Sequence, residues 1–94
     1  VESIDEVAGI YFRSILIRDV HVKVPQHVHP HDHATICTSG SAAMFVDGIR
    51  AGTLYPGDVV EVKANKLHEF ESLKPNTRLT CAHHGESAEA ARRV

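Results

Sequence analysis

The sequence predicts an all-β domain, a sandwich or barrel of short antiparallel strands. Apolar and polar residues alternate over short runs, which is the period of a strand with one buried face. Gly, Pro, Asn and Asp punctuate those runs at close intervals. Few stretches show a helical period. Short strands spaced evenly between tight turns must close on themselves or pack as two sheets.

Taken in order, Ile10 to Val24 reads as one or two strands. In its second half Val20, Val22 and Val24 alternate with His21 and Lys23, implying a buried face and a wet face. Pro25 interrupts and a histidine run follows. Thr35 to Thr38 is extended and ends at Ser39-Gly40-Ser41. Ala42 to Val46 is a strand, and Asp47-Gly48 after it is a strong hairpin signal, because both central residues of such a turn need positive φ. Ile49 to Leu54 returns. Pro56-Gly57-Asp58 turns the chain, with the Asp58 side chain capping the turn. Val59 to Val62 is a strand and Lys63 to Leu67 a loop. His68 to Leu73 alternates, with His68 and Phe70 on one face and Glu69 and Glu71 on the other. Lys74-Pro75-Asn76 turns into the last strand, Thr77 to His84, which puts Leu79, Cys81 and His83 on one face. The barrel therefore spans about residues 10 to 84, and residues 85–94 form an Ala-, Glu- and Arg-rich tail.

Ninety-four residues make a single domain, 1–94, with a modest core that dimerisation would enlarge. A net charge of -2 leaves no electrostatic footprint for nucleic acid or an anionic membrane surface. No apolar run approaches the roughly 20 residues of a membrane span. Cys37 and Cys81 are expected as free thiols in a reducing, cytoplasmic compartment. The chain begins at Val1 rather than Met, so the absence of a signal peptide decides nothing.

Four of the eight histidines, His27, His29, His31 and His33, fall at every second position within seven residues. In an extended strand alternate side chains share a face, so the run aims several imidazoles at one point. Imidazole binds borderline divalent metals, among them Zn, Fe and Ni. A metal site is the first functional expectation.

Both halves of that site resemble the cupin superfamily. Its first motif has two histidines separated by one residue, a gap of three or four, a Glu, then six residues and a Gly. Here His27 and His29 are the pair, Pro30-His31-Asp32 the gap, His33 stands in the Glu position, and Gly40 follows. The second motif runs Pro-Gly-Asp, a strand, Pro-x-Gly-x-x-His, and then Asn. Here Pro56-Gly57-Asp58 and His68 match, while Lys63, Asn65 and Ser72 replace the Pro, Gly and Asn. Asn tolerates the left-handed backbone that Gly would supply. A register starting at His29 and His31 would put Thr35 in the third ligand position and Ala42 in place of the glycine, so His31 is the histidine left over. The resemblance covers roughly Val20 to Cys81. It implies a double-stranded β-helix, or jelly-roll, barrel and a homodimer.

The resemblance further implies one divalent metal (Fe, Mn, Zn or Ni) held by His27, His29, His33 and His68. Four neutral imidazoles leave the 2+ charge uncompensated, which favours a small anionic ligand. Thr35 and Cys37 share the parity of His33 and are expected to line the lumen, Phe70 to wall it, and His83 to stand behind the ligands. Two adjacent open positions on an octahedral ion would suit metal-dependent dioxygenase-like or isomerase chemistry. The alternatives are a non-catalytic module that binds or senses metal or a small molecule, and a structural metal in an interaction domain.

Overall fold

Alternation between inward and outward side chains organises every strand that carries the core. The computed structural model describes residues 2–25 and 32–84. Nine antiparallel strands occupy them: β1 (Glu2–Val7), β2 (Ile10–Ile17), β3 (Lys23–Pro25), β4 (His33–Ser39), β5 (Ala42–Val46), β6 (Ile49–Leu54), β7 (Val59–Val62), β8 (His68–Ser72) and β9 (Thr77–His84). They form a five-stranded sheet, β1-β2-β9-β4-β7, and a four-stranded sheet, β3-β8-β5-β6. Ile17, Cys37, Val62 and Leu79 from the first sheet meet Ala42, Leu54 and Phe70 from the second in one buried cluster. Phe70 is the largest fully buried side chain. The tail and the histidine-bearing residues 26–31 lie outside the described residues.

Two-residue turns join β1 to β2 at Ala8-Gly9 and β5 to β6 at Asp47-Gly48. All four residues have positive φ (54°, 79°, 49° and 83°), the geometry that matches the right-handed twist of a hairpin. β1 lies ahead of the strands read from the sequence, and its residues are exposed on both faces. It has no buried face, so burial imposed no alternation on its sequence. Asn65 has φ 61°, as expected of a residue standing where the motif has Gly.

The segment between Ile17 and Lys23 departs from expectation. Val20 and Val22 are 45% and 40% exposed, so they do not form a buried face. His21 takes φ 57°, which breaks the strand period there. Ser72 organises this loop from across the fold. Its hydroxyl donates to the Asp19 carbonyl at 2.7 Å and accepts from the Val22 N–H at 3.0 Å. Its backbone N–H donates to the Val22 carbonyl at 3.0 Å. Ser72 is fully buried, so Ser72→Ala leaves two polar backbone groups short of a partner. We expect a loss of about 1–3 kcal/mol in urea denaturation, with faster amide exchange at Val22.

Candidate metal centre

Strand parity sets the lining of the space between the sheets. On β4, His33, Thr35 and Cys37 face inward and are 6%, 0% and 0% exposed. On β9, Leu79 and Cys81 share that face, Cys37 pairing with Leu79 and Thr35 with Cys81. The His83 ring, at the end of the same face, lies 4.8 Å from that of His33, tilted by 47°. From the opposite sheet, β8 turns His68, Phe70 and Ser72 inward, at 2%, 0% and 0% exposure.

His33 and His68 lie at the same end of the sandwich. His33 opens β4 and pairs with Val62, the last residue of β7. The chain then needs only the loop 63–67 to reach His68, the first residue of β8. Asp32 fastens that loop to the start of β4, its Oδ1 accepting the Ala64 N–H at 2.6 Å. The expected ligands His27 and His29, and the spare His31, lie outside the described residues. Pro25, just before that segment, pairs with Glu69, the neighbour of His68, and Asp32, just after it, precedes His33. Among the described residues no three His, Cys, Asp or Glu side chains form a metal-binding group.

The His68 imidazole is oriented by backbone. Its Nδ1 lies 3.3 Å from the Lys66 carbonyl, which can only accept, so the bonded form carries its proton on Nδ1. The Nε2 lone pair is then available to a metal. An open depression of about 670 Å³ lies at this end of the five-stranded sheet, lined among others by His33, His83, His84, Asp32, Val60 and Glu61.

Other donors are held back. Cys37 and Cys81 are free thiols. Burial pushes both above the usual thiol range; the Thr35 hydroxyl, 3.3 Å from Cys81 Sγ, only partly offsets this for Cys81. A protonated thiol is a poor ligand and nucleophile. Native protein at pH 8 should therefore react with iodoacetamide far more slowly than urea-unfolded protein, read by mass spectrometry. The thiols' contribution to stability is complete below their ordinary pKa of about 8.5. It is lost as pH rises through that range towards the raised folded values, so the melting temperature should fall on the alkaline side. Equal alkylation rates in the two states would contradict the burial. Glu61 pairs with Lys63 at 2.6 Å on the exposed face.

Neither a protein-family model nor a curated protein matches this sequence. Solved structures do match. KdgF from a Halomonas species superposes with a TM-score of 0.71 at 17% identity, covering 86% of this chain and 74% of that one. A cupin superfamily protein from Desulfitobacterium hafniense gives 0.74 at 18% identity, covering 89% and 75%. The cupin 2 domain of an XRE family transcriptional regulator from Enterobacter cloacae gives 0.69 at 23%, covering 89% and 95%. The chain has the cupin fold. Its interleaved sheets are the expected jelly roll, with β3, β5, β6 and β8 on one side and β1, β2, β4, β7 and β9 on the other. Among the described residues, no helix is long and apolar enough to cross a membrane.

Two residues of this cupin end were not singled out from the sequence. Asp32 was absorbed into the gap between histidines and Asp47 into a turn signal. Both anchor the loop that leads to His68. Their partners lie 32 and 20 residues away, so no local pattern marks them.

Proposed function

We propose that this chain is a small metal-binding cupin in which His27, His29, His33 and His68 hold one divalent ion that takes a small anionic ligand. The observation that carries the proposal is the placement of His33 and His68. They are buried at one end of the sandwich on the inner faces of opposite sheets, and the Nδ1 of His68 is committed to a carbonyl. The residues present suit such an ion. The thiols keep their protons, Asp32 serves the Ala64 N–H and Glu61 serves Lys63, which leaves imidazole nitrogen as the donor at hand. Fe, Mn, Zn and Ni all accept such donors.

A bound ion would supply Lewis-acid chemistry, and with Fe or Mn dioxygen-dependent redox chemistry. The chain's own residues hold it, present an uncompensated positive charge to an anion, and exclude water behind it with Phe70. Oxygenation or isomerisation of an anionic small molecule is the enzymatic form of the proposal. A non-catalytic binding or sensing module is the second form. It is favoured by the engaged state of Asp32 and Glu61, which leaves neither carboxylate as a ready general base, and by the likeness to a domain of a transcriptional regulator.

The test starts with metal analysis of untagged protein and of His27→Ala. Absence of metal, together with unchanged stability of the variant, removes the site. Protein loaded with Fe(II), Mn(II), Zn(II) or Ni(II) is then assayed aerobically against diketones, acireductone-like enols and thiols. Turnover supports the enzyme; ligand-induced stabilisation without turnover supports the sensor. We also propose a homodimer, supported by the small core and by the outer edge of β1, which no strand among the described residues pairs. A monomer by sedimentation would refute that.

A further inference from the structure

Asp47 follows the end of β5, one step beyond the Val46–His68 pair. An antiparallel ladder would next exchange two backbone hydrogen bonds between Asp47 and Leu67. One is made: the Asp47 N–H donates to the Leu67 carbonyl at 2.8 Å. For the other, the Asp47 backbone has already curled into its turn at φ 49°. The side chain replaces it, with Asp47 Oδ1 accepting the Leu67 N–H at 3.1 Å.

That N–H belongs to the same peptide unit as the Lys66 carbonyl, and the unit is planar. Fixing the N–H therefore fixes the direction of the carbonyl on its far side. This carbonyl is the group that meets His68 Nδ1 at 3.3 Å. We infer that Asp47 is a positioning residue for His68: carboxylate, peptide plane and imidazole form a relay that sets the His68 tautomer and turns Nε2 towards the interior. The relay resembles an Asp–His pair with one peptide inserted between the partners. Each hydrogen bond polarises the next, so the carboxylate also makes Nε2 a better donor. The inference deepens the proposed metal site and rests on it only for the role of Nε2.

The test uses the full chain without metal and then with Zn(II) alone. Long-range 1H–15N spectra should show His68 protonated at Nδ1 in the wild type. Asp47→Gly keeps a backbone that accepts positive φ and deletes the acceptor. It should give a mixture of tautomers and weaken Zn(II) binding by about 10–100-fold in chelator competition, the usual loss when a ligand's supporting partner is removed. Asp47→Asn keeps an oxygen acceptor and should restore both the tautomer and the affinity. The relay is overturned by an unchanged tautomer in folded Asp47→Gly, or by failure of Asp47→Asn to restore it. A wild-type His68 protonated at Nε2 overturns it without any variant, should Asp47→Gly not fold. A shifted tautomer with unaltered Zn(II) affinity leaves the relay standing and counts against His68 as a ligand.

Discussion

Gly40→Ala is expected to cost a large share of the stability of the domain. Gly40 sits at φ 73°, where a Cβ costs an L-residue about 1–2 kcal/mol. The larger problem is space. A Cβ built there would lie 2.6 Å from the Thr77 Cα and also press on the Thr77 side chain. Thr77 is fully buried and cannot step aside freely. Its hydroxyl accepts the Ser41 N–H at 3.2 Å and lies 2.8 Å from the Lys74 carbonyl, so moving it breaks the bonds that close the turn into β9. Forced repacking of this kind adds roughly 1–3 kcal/mol. The sum is about 2–5 kcal/mol, against a total of roughly 5–15 kcal/mol for a typical domain. The melting temperature should drop by about 10–30 °C. Gly48→Ala is the control, since φ is 83° there but nothing lies within 4 Å of the added carbon. It should pay only the conformational term. Equal losses in the two variants would show that the contact with Thr77 is not what requires glycine at position 40.

His68→Ala is expected to lower Zn(II) affinity by more than the roughly 100-fold that losing a partner behind a ligand costs. His68 is the ligand candidate contributed by the four-stranded sheet among the described residues, so its loss removes that side of the site. The same change empties a buried volume at a residue 2% exposed and should cost about 2–4 kcal/mol by itself. Stability and affinity are therefore read separately, the first by urea denaturation without metal and the second by competition with a chelator. His68→Gln keeps most of the volume and should recover part of the stability without the affinity. Wild-type affinity in either variant would remove His68 from the site.

Much of the fold was legible because most strands bury one face. β8 reads as a strand because His68, Phe70 and Ser72 are inside while Glu69 and Glu71 stay wetter, and the same parity placed Thr35 and Cys37 inward beside His33. Alternation misled at Val20 and Val22, where the left-handed backbone of His21 and the reach of Ser72 decide the path, while Val24 packs against the core as its place in the alternation implies. Neither of those is a periodic signal. The inward positions of His33 and His68 follow from their strands. The anchors of the loop between them do not, because Asp32 and Asp47 act on backbone groups that only the folded topology brings near. Asp47 carries a double function, shaping its own turn and holding another loop, and only the first is written locally.

β1 has a consequence for how the molecule opens. None of its side chains enters the shared core, and its backbone is held along one side, in register with β2 from Glu2–Ile15 to Val7–Ile10. Local opening free energy follows buried contacts, so this ribbon should exchange its amide protons at far lower cost than β4 or β9, without waiting for the two sheets to separate. The protein should then behave as two cooperative units of unequal strength: a sandwich that opens as a whole, and a ribbon, β1, that peels from the edge of β2 and returns while the two sheets stay packed.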